Sequence, residues 1–178
     1  MQPTLTGPRV VLRPWRADDV DAVTAACQDP EIQRWTQVPV PYERTHAEGF
    51  VGGIAEQTRA GGGALFAVVL PDGAFVGSIG LFPPHEGVGE IGYWTAAPYR
   101  GRGLTSEAVR VLSEWAFTEH SLHRVQLLVH PANQGSRRVA ERAGFLAEGV
   151  IRQRMQHRGR PADAVMYSRL PTAPRPIG

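Results

Sequence analysis

Tyr99-Arg100-Gly101-Arg102-Gly103-Leu104-Thr105 stands between a strand-like run, Glu90 to Ala96, and a helical run that continues past Ala116. In the helical run Leu104, Ala108, Val111, Leu112, Trp115 and Ala116 recur at i, i+4, i+7 and i+8, which gathers them on one buried face. A glycine-rich turn opening such a helix aims several backbone N–H groups at one spot, where the helix dipole also favours an anion. The turn therefore reads as a pyrophosphate cradle. Gly103 lets the backbone approach phosphate oxygens with no Cβ between them, and Arg100 and Arg102 add positive charge. Taken alone, R-G-R-G before a core helix is more often a basic surface turn, so the surroundings have to decide.

Upstream, Val10 to Leu12 closed by Arg13-Pro14 predicts a first strand. Asp18 or Asp19 can cap a helix carrying Val20, Val23, Thr24 and Cys27 and ended by Asp29-Pro30. Residues 31 to 42 hold two prolines, Pro39 and Pro41, with Trp35 and Tyr42, and predict a loop with aromatic anchors. Glu43 to Arg59 predicts a second helix weakened by Gly49, Gly52 and Gly53. Ala64 to Leu70, the Pro71-Asp72-Gly73 turn and Ala74 to Phe82 form a hairpin pattern. Downstream, His123 to His130 is strand-like, Asn133 caps a short helix, and Gly144-Phe145 closes it with a left-handed glycine and a hydrophobic contact. Two last strands, Ala147 to Met155 and Ala162 to Leu170, flank a turn at Gly159. The proline-rich stretch from Pro171 predicts a disordered tail.

Composition narrows the chemistry. With 178 residues, 42% of them apolar, the chain has the size and make-up of one globular domain. All 19 basic residues are arginine, which removes P-loop, Schiff-base and lysine-base mechanisms. Cys27 is the single cysteine and predicts a buried apolar residue; the six histidines show no metal spacing, so no metal is expected. The start, Met1 to Arg13, has no signal-peptide pattern, and no run approaches the ~18 apolar residues of a membrane span, so the expected location is cytoplasmic and no membrane partner is expected. A net charge of +2 argues against nucleic acid, although seven arginines fall between Arg137 and Arg160.

Neither common nucleotide signature is present: no G-x-G-x-x-G follows a strand and no glycine loop ends in lysine. The chain instead resembles the GNAT acetyltransferase superfamily, and within it the RimJ and RimL type of ribosomal-protein N-terminal acetyltransferase. The resemblance runs through Leu12-Arg13-Pro14 with Asp18-Asp19, Glu90-Ile91-Gly92-Tyr93-Trp94, Arg100-Gly101-Arg102-Gly103 followed by Glu107-Ala108, Asn133 with Ser136-Arg137-Arg138-Val139, Gly144-Phe145 and Glu148-Gly149. One departure is Thr105, where the superfamily turn R-x-x-G-x-G/A has a small residue; its N–H remains available and its hydroxyl could itself bond a phosphate.

The resemblance implies an α+β fold: a mostly antiparallel sheet of six to seven strands, splayed in the middle and flanked by about four helices, with residues 1–170 as one acyltransferase domain. It implies acetyl-CoA as cosubstrate and direct attack by an amine in a ternary complex. Trp94, Thr95 and Ala96 would hold the pantetheine arm and Gly101 to Thr105 the phosphates. Asn133 and Ser136 would lie beside the pantetheine, with Ser136 protonating the leaving thiolate, and Glu90 would take the amine proton. Some relatives carry a further carboxylate past Glu148-Gly149, where this chain has Met155. Trp35, Tyr42 and Tyr93 are candidates to line the acceptor pocket. An α-amine, as on a protein or peptide N-terminus, is the expected acceptor; a small amine or amino sugar, a CoA-binding module without catalysis, and a homodimer stay open.

Overall fold

The computed structural model describes residues 2–171; the terminal stretch predicted to be disordered lies, from residue 172 on, outside the described residues. An eight-stranded sheet has the order β1-β2-β3-β4-β5-β6-β8-β7. Its strands are β1 (Leu5–Thr6), β2 (Val11–Arg13), β3 (Ala64–Val69), β4 (Phe75–Leu81), β5 (Val88–Thr95), β6 (Arg124–Val129), β7 (Leu146–His157) and β8 (Arg160–Arg169). Every neighbouring pair is antiparallel except β5 and β6. Seven of these strands match the runs read in the sequence. The eighth, β1, has two residues, too few to carry an alternation of period two.

The helices are α1 (Val20–Ala26), α2 (Pro30–Trp35), α3 (Arg44–Glu48), α4 (Ala55–Ala60), α5 (Leu104–Glu119) and α6 (Gln134–Arg142). Gly49–Ile54, between α3 and α4, is a π-helical stretch, so the helix expected over Glu43 to Arg59 is present but widened where its glycines fall. The expected loop after Asp29 is corrected: Asp29 Oδ1 accepts the N–H groups of Glu31 and Ile32, Pro30 fills the first helical position, and α2 follows. Asp-Pro stops one helix and starts another equally well, and α2 is too short to show a period. Asp19 does not cap α1 in the expected way. Its carboxylate turns back to accept from Arg16 N at 2.8 Å and from both Arg13 terminal nitrogens at 2.7 and 2.8 Å.

Leu104, Ala108, Val109, Leu112 and Ala116 of α5 are all buried against the sheet, with Trp115 edge-on to Phe66 at 5.8 Å. α6 ends as read: Phe145 N donates to Ala140 O and Gly144 N to Glu141 O, with Gly144 at φ +86°. A second, smaller core gathers Val20, Val23, Cys27, Ile32, Tyr42, Ala47 and Val51, with Trp94 and Phe75 packed against it. Cys27 is 1% exposed and burial pushes its thiol up to about 11, which makes it the packing residue expected. Consecutive β5 residues thus face different cores: Ile91 and Tyr93 turn toward α5 and α6, Trp94 toward α1 to α3. No helix among the described residues is long and apolar enough to cross a membrane.

Candidate active site

β5 and β6 pair only at Val88↔Arg124, Gly89↔Val125 and Glu90↔Gln126. Beyond that rung each strand continues on its outer partner alone, β5 on β4 and β6 on β8, so the sheet opens into a V. Which backbone groups face the opening follows from antiparallel alternation. Phe82 N donates to Glu90 O and Ala96 N to Val76 O, so Glu90, Gly92, Trp94 and Ala96 bond toward β4. Tyr93 and Thr95 therefore turn their N–H and C=O groups into the V. Of the backbone groups expected to hold a pantetheine arm, Thr95 turns its N–H into the V while its C=O accepts from Arg100 Nε, Ala96 N–H is engaged by Val76 O, and Tyr93 joins the set.

At the end of β5 the cradle turn leads into α5. Gly101 (φ +73°) and Gly103 (φ +78°) both adopt the left-handed conformation that a side chain disfavours. Gly103 is the N-cap residue of α5 and no side chain caps the helix, which leaves the first-turn N–H groups, at Leu104, Thr105 and Ser106, without side-chain acceptors. Thr105 Oγ1 lies 2.6 Å from Thr95 Oγ1, so the hydroxyl pins the turn to β5 where it was expected to meet phosphate. Arg100 is also engaged: its guanidinium pairs with Asp29 at 2.8 Å and its Nε donates to Thr95 O at 3.0 Å. The Arg100 hydrogen bond is the main force holding the Asp29 carboxyl below the usual carboxylate range. Arg102 stands exposed over the Tyr99 ring at 5.5 Å, and its carbonyl accepts from Arg9 Nη1. Arg9 in turn bonds the buried Glu107, which fixes α5 against the start of the chain.

Across the V, Asn133 Oδ1 accepts Ser136 N at 3.0 Å and so caps α6 as read. Tyr93 Oη is 2.8 Å from Ser136 Oγ. Tyr93 thus lines the cleft, and its hydroxyl is turned to Ser136 on the α6 side of the sheet; the clue in the sequence is its two-residue spacing from the core residue Ile91. Burial pushes the Tyr93 phenol above its ordinary value, so it stays protonated and can donate to Ser136. Replacing Ser136 by alanine is expected to lower kcat by no more than about tenfold, because a thiolate of pKa ~8.5 leaves with little help and the Tyr93 hydroxyl remains beside the gap. Steady-state thiol release measures this.

Glu90, half-buried on the last shared rung, accepts from Gln126 Nε2 at 3.3 Å. It opens onto a cleft of about 1320 Å³ that also takes in Gly101, Gly103, Asn133, Ser136 and Met155. Glu31 is the other carboxylate lining this cleft, and it is committed to Trp35 Nε1 at 2.9 Å. Two histidines line it as well. His46 Nδ1 accepts from Glu43 N and His130 Nδ1 from Ala132 N, which places the proton of each neutral ring on Nε2. Neither then offers a lone pair to an amine, so Glu90 is the group suited to take a proton.

The remaining two acceptor candidates, Tyr42 and Trp35, line the cleft and also make packing contacts. Tyr42 is 7% exposed in the second core, although its edge reaches the cleft. Trp35 sits in a clasp over the cleft mouth, 5.4 Å from His130, 5.7 Å from His157 and under Arg34 at 4.5 Å. The tip of the β7–β8 hairpin completes the clasp: Arg158 Nη1 donates to Val38 O at 2.8 Å and Gln37 Nε2 to Gln156 O at 2.6 Å. Burial, then the charges of His130, Arg158 and Arg34, lowers the His157 pKa. A histidine held below its unfolded value favours the neutral ring, so the clasp is intact above ~6.5 and weakens as pH falls through the folded pKa. An imidazole NMR titration is expected to place His157 below ~6.5, and a higher value contradicts this packing.

No cluster of three or more His, Cys, Asp or Glu able to hold a metal occurs among the described residues. Several known proteins resemble this chain. The acetyltransferase (GNAT) domain family matches residues 9–146. The uncharacterized N-acetyltransferase p20 of Bacillus licheniformis is 27% identical over 94% of this chain and 96% of its own. The ribosomal-protein-serine acetyltransferase of Escherichia coli is 27% identical over 61% of this chain and 62% of its own. Among solved structures, Mycobacterium smegmatis RimJ in complex with CoA-disulfide superposes with a TM-score of 0.83 at 27% identity, covering 94% of this chain and 87% of that one.

Proposed function

The chain belongs to the GNAT acetyltransferase family, and on that footing we propose that it transfers acetyl from acetyl-CoA to an α-amine, as on a protein or peptide N-terminus. The observation that carries this reading is the opening of the sheet directly after the Glu90–Gln126 rung, with the glycine cradle at its far end. The pyrophosphate meets the N–H groups at the start of α5, and the pantetheine arm lies along the free edge of β5 at Tyr93 and Thr95. The neutral amine attacks the thioester carbonyl carbon. Backbone N–H groups of β5 steady the oxyanion, and the C–S bond then breaks. Glu90 accepts the proton the amine loses, through water, while Ser136, backed by Tyr93, supplies one to the thiolate. No covalent enzyme intermediate is needed. The relative named as a ribosomal-protein-serine acetyltransferase supports a protein acceptor.

Acceptor basicity favours the α-amine. With a pKa of ~7.7–8.0 it is roughly 10–17% neutral at pH 7, against ~0.04% for a lysine at ~10.4. A lysine thus starts about 300-fold behind, and Glu90, bonded only by Gln126 Nε2 at 3.3 Å, is the one carboxylate suited to offset that. We expect a short peptide with a free N-terminus to be acetylated in preference to the same peptide N-blocked and carrying an internal lysine. Mass spectrometry of the two products decides, and preference for the blocked peptide contradicts the α-amine reading.

A further inference from the structure

Resting on that reading of the site, we propose that the acceptor carries an apolar side chain next to its amine, taken up by a pocket formed by Leu65, Phe82, Phe50 and Ile54 beside Glu90. Gly80 and Gly92 face each other across β4 and β5. A Cβ on Gly80 would fall 2.5 Å from Leu65 Cδ1, and one on Gly92 3.0 Å from the Phe82 ring. The two large side chains therefore lie directly on this glycine pair and form an apolar floor. Phe82 N donates to Glu90 O at 2.9 Å, which makes Phe82 the direct cross-strand neighbour of Glu90, with both side chains on the same face of the sheet.

The facing wall is helical. Phe50 and Ile54 on the π-helical stretch, and Thr58 on α4, line the same cleft, and α4 packs on β3, the strand that holds Leu65. Phe82 is 48% and Ile54 50% exposed, so two large apolar side chains meet water within the reaction cleft. Of this wall and floor, only Glu90 at the edge ionises. A ligand with a hydroxyl on nearly every carbon, such as an amino sugar, would lose water there without gaining partners. An apolar side chain covers Phe82 and Ile54 while its ammonium reaches Glu90. The pocket thus fits an N-terminal residue of the leucine or phenylalanine kind.

The test is a series of peptides X-Ala-Ala with a free N-terminus and X as leucine, phenylalanine, alanine, serine or aspartate, together with phenethylamine and glucosamine, scored by thiol release from acetyl-CoA. Leucine and phenylalanine are expected to exceed serine by at least about tenfold in kcat/KM, the effect of covering one apolar side chain. Phe82→Ala and Ile54→Ser should each shrink that ratio toward unity, mainly through KM. A ratio that both variants retain overturns the placement of the pocket. Equal or better use of the serine peptide overturns the pocket while the α-amine reading stands. Turnover of phenethylamine without any peptide supports the pocket and overturns the α-amine reading, and preference for glucosamine overturns both.

Discussion

Gly103→Val is expected to lower coenzyme A affinity by at least about 100-fold, some 2.7 kcal/mol, while the protein still folds. Gly103 sits at φ +78° as the N-cap of α5, and the nearest atom to a Cβ there is Arg9 Nη2 at 3.4 Å, so added methyl groups enter the space above the cradle. They would stand where the phosphate oxygens have to approach the helix N–H groups. Backbone strain adds ~1–2 kcal/mol to the cost of folding, a drop in Tm of roughly 2–8 °C. Gly73→Val separates the two effects. Gly73 has φ +90° in the β3–β4 turn with nothing within 4 Å of a Cβ, so it shares the strain and lies away from the cleft. Titration calorimetry should show its coenzyme A affinity intact. Equal losses in both variants would move the binding site elsewhere.

Glu90→Gln keeps the shape and an acceptor for Gln126 Nε2 but loses the ability to take a proton. We expect kcat to fall by about 10²-fold or more near pH 7, with coenzyme A affinity unchanged. The deficit should narrow as pH rises past ~8, where an α-amine is already largely neutral and a base matters less. The sign is therefore fixed: the variant is most impaired at low pH. A pH–rate profile parallel to that of the wild type removes Glu90 from the mechanism. The other cleft groups do not offer an easy substitute, since Glu31 is held by Trp35 and the cleft histidines present Nε2–H.

Much of this arrangement is legible along the chain because its signals are local. The α5 stripe, the Pro71-Asp72-Gly73 hairpin, the Asn133 cap and the Gly144-Phe145 stop each lie within a few residues and recur in the structure as read. What escapes reading is set by partners far apart in sequence. Arg100 looks like a free phosphate ligand until Asp29, 71 residues earlier, is found holding it. Thr105 is spoken for by Thr95, and Trp35 by His130 and His157. Short elements escape for a different reason: β1 and α2 complete too little of a period to register. The face of Tyr93 was readable in principle, since Glu90, Gly92 and Trp94 already share the opposite one.

On the proposed reading, the opened sheet brings an acyl thioester and an α-amine together. The most direct test of this is release of free thiol from acetyl-CoA by the wild-type protein near pH 7, with and without a peptide bearing a free N-terminus. Peptide-dependent release is expected, matched mole for mole by acetyl on the peptide N-terminus. Acetyl-CoA that binds without releasing thiol to any amine offered would contradict that reading and leave a coenzyme-binding domain without catalysis.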